Sequence, residues 1–113
     1  SRKNLTIVTG ALAEKVLLDG NKAVGVEYSI NGNKMSAKAS NEVVLSAGSI
    51  GSPHLLQLSG IGDSDTLTAA GVEVKHHLPG VGQNLQDHLE FYFQYKCKQP
   101  ITLNGNLALF QKV

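Results

Sequence analysis

The sequence predicts an α+β fold: an antiparallel β-meander, one buried strand and two short helices. Three observations predict it. Alternating apolar and polar residues flank Asn31-Gly32, a dipeptide that accepts the positive φ a tight hairpin turn requires at both central positions. The run Val43-Val44-Leu45 does not alternate, which is the pattern of a strand buried on both faces. That run leads into residues 48–62, G-S-I-G-S-P-H-L-L-Q-L-S-G-I-G, where Ser, Pro and Gly punctuate a short helix.

The elements follow in order. Leu5-Thr6-Ile7-Val8-Thr9 is β-branched and apolar, a strand by propensity, and Gly10 breaks it. Apolar positions continue from Ala11 to a turn at Asp19-Gly20-Asn21. Val24, Val26, Tyr28 and Ile30 then share one strand face, with Gly25, Glu27 and Ser29 on the other. Beyond Asn31-Gly32, Met35, Ala37 and Ala39 alternate with Lys34, Ser36, Lys38 and Ser40. This half reads as a plain sheet with one apolar and one wet face, and no chemistry is assigned to it.

In the second half, Ser52 is expected to cap a helix and Pro53 to occupy its first turn. Leu55, Leu56 and Leu58 form its apolar stripe, and Gly60 supplies the left-handed stop. Asp63 or Ser64 caps a second helix through Thr66, Leu67, Ala69 and Ala70, closed by Gly71. Val72-Glu73-Val74 reads as a short strand, and a loop runs from Gly80 through Asn84 to Asp87-His88. Leu89, Phe91, Phe93, Tyr95 and Cys97 alternate with Glu90, Tyr92, Gln94 and Lys96, a two-faced strand. After Pro100, residues 101–113 are loosely patterned and are expected to extend toward something outside this chain.

Composition narrows the function. At 113 residues the chain is one domain or a piece of one, and the absence of an initiator Met favours a piece. Only 17% of residues are charged, which suits a segment that packs against protein or holds a ligand. A net charge of +1 gives no attraction for nucleic acid or for an anionic membrane. No apolar run reaches the roughly 18 residues of a membrane-spanning helix, so none is expected. A lone Cys97 cannot form an internal disulfide and favours a reducing compartment, the cytoplasm.

Several chemical constellations are weak. Gly60-Ile61-Gly62 and Gly80-Val81-Gly82 invite a phosphate-loop reading, but neither completes G-x-G-x-x-G. Acidic residues directly after the first pair, Asp63 and Asp65, would repel a pyrophosphate. The adjacent His76 and His77 point to opposite faces of a strand, and His54 and His88 are distant in sequence, so no metal site is expected. No serine sits in a G-x-S-x-G elbow. Ala47-Gly48-Ser49 differs, because a buried strand ends there on a residue with no side chain, followed by the free N–H groups of a helix. That favours a ligand contact.

Residues 48–62 resemble a signature of the glucose-methanol-choline (GMC) oxidoreductases, flavoproteins that oxidise alcohols. The pattern G-S-x-x-S-P-x-L-L-x-x-S-G-x-G is met by Gly48, Ser49, Ser52, Pro53, Leu55, Leu56, Ser59, Gly60 and Gly62. Residues 4–10 with 23–28 look like the strand pair that precedes this signature, and residues 78–88 like the loop into the substrate domain. The likeness runs to about Tyr95, and within the family residues 52–62 are most similar to members that oxidise choline and similar alcohols.

The resemblance implies a piece of the larger FAD-binding α/β domain, with residues 1–88 in that domain and 89–113 beginning the substrate-domain sheet. It implies FAD contacts at Ala13 through its backbone, at Ala47 and Gly48 near the adenosine, and at Ser52, whose helix braces that region. Asn84, Asp87 and His88 would mark the domain junction near the flavin lid. The family's G-x-G-x-x-G lies upstream of such a segment and its catalytic His downstream, so no catalytic residue is assigned, His88 included. The parent would take hydride from a small alcohol such as choline to flavin, while the chain alone would be inactive and bind FAD weakly or not at all. The parent's location would be cytoplasmic, with peripheral membrane association as an extension. The strand at residues 89–97 would be an open edge ready for self-association. The alternative is a stand-alone binding module that shares only the signature.

Overall fold

In a computed structural model, residues 2–99 are described, and residues 101–113, expected to extend from the fold, lie outside them. The first half is a three-stranded antiparallel sheet in the order β1 (Ala11–Asp19), β2 (Lys22–Ile30) and β3 (Asn33–Lys38). The second half comprises α1 (Gly48–Leu58), β4 (Ile61–Gly62), α2 (Ser64–Ala69) and β5 (His76–His77), with β4 and β5 paired in parallel. The α+β class is as the sequence predicts.

The β2–β3 hairpin turns where expected. Ile30 pairs with Asn33, and the two residues between, Asn31 and Gly32, have φ of 51° and 81°. Both central positions are left-handed, as a turn matching the twist of its strands requires. Tyr28 pairs with Met35 and Val26 with Ala37, so the predicted apolar residues share a face. The opposite face is less wet than expected. Gly25 and Ser29 are buried on it, and a Cβ on Gly25 would lie 2.4 Å from the Ala37 carbonyl oxygen.

A register shift between Ala13 and Lys15 sets Glu14 off the ladder. Its carboxylate accepts from Ser29 and from Lys34, which hold it below the usual carboxylate range. The Lys34 Nζ lies 3.3 Å from Glu14 and 3.4 Å from Glu27. These groups are solvated, so the ion pairs organise the surface more than they stabilise it.

The two halves meet where α1 packs on β1. Among the described residues, Val16, Leu55 and Leu67 are the buried apolar ones. Ser59, fully buried, joins Val16 to Leu55: its hydroxyl donates to the Leu55 carbonyl at 2.6 Å and accepts the Val16 N–H at 2.8 Å. An N–H on the open edge of β1 is thus paired by a helix-terminal hydroxyl. Ser59→Ala leaves that N–H buried without a partner, and a loss of about 1–3 kcal/mol in urea unfolding is expected. A loss under about 0.5 kcal/mol would mean water replaces the hydroxyl at no cost.

Four expected elements differ. Residues 5–9, 43–45, 72–74 and 89–97 form no strand. Each has strand-like residues, but a strand exists only through a ladder of hydrogen bonds to another backbone, and none of these segments forms one with a described residue. Val44 is accordingly 73% exposed and Phe91 76%. Helix α1 also begins earlier than expected, at Gly48, with Ala47 as an N-cap lacking a side-chain cap bond. Pro53 stands inside the helix rather than in its first turn. Ser52 is likewise a helical residue, and its Oγ reaches back to accept the Ala47 N–H at 3.0 Å. The stop at Gly60 is as expected, with φ of 86°.

Of the two expected caps for helix α2, Asp63 serves and Ser64 is the first helical residue. The Asp63 Oδ1 accepts both the N–H and the hydroxyl of Thr66 at 2.9 Å. These bonds hold its carboxyl below the usual range, the backbone bond most of all. A lowered carboxyl stabilises the fold above its unfolded value, ~4, and the contribution is lost as pH falls through the lowered folded value. Asp63→Ala is therefore expected to lower the melting temperature at neutral pH, with the gap closing in acid. A gap that stays constant through the acid range would rule out the charge as its origin.

Candidate functional site

A groove of about 690 Å³ runs between α1 and the loop that follows β5. Ser49, Ser52, Pro53, Leu56 and Gln57 form its helical wall. Gly80, Val81, Gln83 and Asn84 form much of the facing wall. The sequence makes such a cleft because one side is a regular helix and the other a chain that cannot become one. Pro79 and the glycines at 80 and 82 interrupt any helical run, with Gly82 at φ 78° and Asn84 at φ 58°.

Local hydrogen bonds shape the loop. The Leu78 N–H donates to the Gly62 carbonyl at 2.8 Å, a bond of the Gly62–His77 pair that ends the β4–β5 ladder. The Val81 N–H then donates to Leu78 at 3.1 Å and the Gln83 N–H to Gly80 at 3.2 Å. Across the groove the Gln57 amide donates to the Val81 carbonyl at 3.4 Å.

Three of the four expected cofactor contacts lie together. Ala47 and Gly48 form the start of α1, and the Ala47–Ser52 hydrogen bond folds the first turn around them. Gly48 has φ of 83°, and nothing lies within 4 Å of where its Cβ would be. Its backbone is therefore open to a ligand, and a side chain there would be strained. Of the three, Ser52 lines the groove, while Ala47 and Gly48 are outside its lining. Ala13 stands apart, exposed on the edge strand β1 opposite Tyr28 and outside the groove lining.

Of the remaining polar candidates, only His54 and Asn84 share the groove lining. Asn84 lines the groove, while Asp87 accepts its neighbour's N–H, that of His88, at 2.8 Å. His77 Nδ1 lies 2.8 Å from the Ser64 hydroxyl and accepts the Ser64 N–H at 3.2 Å, on the exposed start of α2. Among the described residues no three His, Cys, Asp or Glu side chains could hold a metal. None of the helices there is long and apolar enough to cross a membrane. Gln57 was missed by sequence reasoning. It occupies an unspecified position of the signature, and only its partner across the groove marks it.

Known proteins match this chain along nearly all of it. The sequence pattern of the family described as GMC oxidoreductase matches residues 1–90. The oxygen-dependent choline dehydrogenase of Photobacterium profundum is 59% identical over 111 residues, covering 98% of this chain and 20% of that protein. The mitochondrial choline dehydrogenase of Homo sapiens is 54% identical over 113 residues, covering 100% of this chain and 19% of that protein. Among solved structures, an FAD-dependent oxidoreductase from Chaetomium thermophilum superposes with a TM-score of 0.72 at 43% identity, over 75% of this chain and 15% of that one. Pyridoxine 4-oxidase from Mesorbium loti superposes with a TM-score of 0.65 at 41% identity, over 69% of this chain and 15% of that one. The chain spans about a fifth of the length of the curated relatives it matches.

Proposed function

The chain belongs to the GMC oxidoreductase family, and from that premise we propose that it is a section of an FAD-dependent alcohol oxidoreductase of the choline dehydrogenase kind. The observation that carries the proposal is the 59% identity to a choline dehydrogenase across 98% of the chain. The substrate would be a small alcohol such as choline. In this proposal residues 1–88 serve the FAD-binding domain and residues 89–113 begin the substrate domain.

The residues present fit part of a dinucleotide cofactor. Helix α1 is 11 residues long, and Ala47 leaves its first N–H groups without a side-chain cap. Those donors suit the oxygens of a ribose or phosphate. Gly48 lets a ligand approach the backbone closely, and the Ser52 hydroxyl holds the Ala47 N–H in place beside it. Ala13 would add a separate backbone contact from the edge of β1. FAD, when bound, supplies the hydride acceptor for alcohol oxidation. The residues of this chain would bind and orient its adenosine half, with the loop carrying Asn84 as the facing wall of the groove. No residue here is assigned to proton removal. A cytoplasmic location, with peripheral attachment to a membrane, goes with the same proposal.

Flavin absorbance and choline-dependent dye reduction test this on the full-length protein and on the chain alone. The full-length protein is expected to be yellow and active. The chain alone is expected to be inactive, poor in flavin and self-associated by light scattering, because the aromatic segment from Leu89 to Tyr95 is exposed and forms no strand with a described residue. In the full-length protein Gly48→Val is expected to lower FAD affinity about tenfold or more, since a β-branched residue at positive φ must move the turn. Full flavin content in that variant would remove Gly48 from the site, and choline-independent, flavin-free full-length protein would refute the proposal as a whole.

A further inference from the structure

The two glycine pairs that make no phosphate cradle share a neighbour. The Gln57 side chain leaves α1 and passes between Gly62 and Gly82, the second glycine of each pair. A Cβ on Gly62 would stand 3.3 Å from the Gln57 Cγ, and a Cβ on Gly82 only 2.8 Å from its Nε2. Beyond them the amide donates to the Val81 carbonyl. Among the described residues no other α1 side chain hydrogen-bonds to this loop. Gly62 is itself joined to the root of the loop through the Leu78 N–H. Helix, short parallel ladder and loop therefore meet at one side chain.

We infer that Gln57 is a positioning residue that sets the distance of the loop at residues 80–86 from α1, and so the width of the groove. It rests on the cofactor-binding role proposed above, and specifies which side chain shapes that site. Gly82 holds a left-handed φ of 78° that disfavours any side chain and also leaves room for the amide, while a side chain at position 62 would crowd its stem. Leucine at position 57 keeps most of the volume but cannot donate to Val81. The loop then loses its tie to the helix, and the Asn84 side of the groove drifts.

The test uses the full-length protein with Gln57→Leu, Gly82→Ala, Gln57→Ala and the Gln57→Ala/Gly82→Ala pair. FAD titration of the apoprotein, amide hydrogen exchange of the loop, and steady-state kinetics at saturating FAD are measured. Gln57→Leu is expected to raise the FAD Kd about five- to tenfold, the scale of one lost hydrogen bond. Exchange at Val81 and Gln83 is expected to quicken, and kcat at saturating FAD to stay within about twofold, because a positioning effect on the adenosine half spares the reacting atoms. The effect of Gly82→Ala is expected to shrink in the Gln57→Ala background, where its clash has no partner. Unchanged Kd with unchanged loop exchange in Gln57→Leu would overturn the inference, as would strictly additive effects in the pair. Wild-type full-length protein that binds no FAD would overturn the cofactor role, while loop exchange would still report on the Gln57 contact. The two failures are thus distinguishable.

Discussion

Gly60→Ala is expected to destabilise the protein by about 2–5 kcal/mol. Two independent costs add. Gly60 has φ of 86°, and a residue with a Cβ in the left-handed region costs roughly 1–2 kcal/mol. The new methyl would also lie 2.5 Å from the Glu73 carbonyl oxygen and 3.2 Å from the Lys75 nitrogen, both backbone atoms that cannot swing away. Relieving such overpacking typically costs about 1–3 kcal/mol. The Gly60 carbonyl receives the Lys75 N–H at 2.8 Å and the His76 N–H at 3.1 Å, so any shift also strains the entry to β5. Gly71→Ala is the control. Gly71 has φ of 72° but nothing within 4 Å of a Cβ, so only the backbone cost of roughly 1–2 kcal/mol applies. Urea unfolding of both variants separates the terms, and equal losses at the two positions would show that the clash is absorbed without cost.

Leu67→Ala is expected to cost about 2–5 kcal/mol, the range for deleting a buried leucine side chain. Leu67 is only 2% exposed, in a core whose other buried apolar residues are Val16 and Leu55. Helix α2 has six residues, too few to be stable by itself. Its attachments are the Asp63 cap, the His77 Nδ1 bonds to Ser64, the Val72 N–H donated to the Leu67 carbonyl at 2.9 Å, and the Leu67 side chain against Gly62. Removing that side chain loosens Gly62, and with it the root of the loop that walls the groove. Leu67→Met keeps most of the volume and is expected to cost under about 1.5 kcal/mol. Chemical unfolding with hydrogen exchange at Val72 checks both. An alanine variant as stable as the methionine one would show that α2 is not held by its leucine.

Much of the architecture was legible in the residues. Asn31-Gly32, the stop at Gly60 and the Asp63 cap could be read because each depends on the conformational preference or hydrogen-bonding reach of residues within a few positions. The start of α1 was misread for a related reason. Ser52-Pro53 has the chemistry of a helix start, yet the chain turns earlier, at Gly48, whose φ of 83° opens the helix. The signature also pointed to the family and to Ala47, Gly48 and Ser52, which the fold gathers at one helix end.

By itself, then, the sequence determined the turns, the caps, the α+β class and the family likeness, since each is written in short stretches of adjacent residues. Tertiary structure alone decided which strand-like segments became strands, why Ser59 is buried, and what Gln57 does. Residues 43–45 and 89–97 have strand composition but no ladder. Val16 and Ser59 are 43 positions apart, and Gln57 and Val81 are 24. A backbone hydrogen bond across a sheet, or a side chain passing between two glycines, depends on which distant atoms arrive opposite it. That is a property of the folded chain and not of any stretch within it.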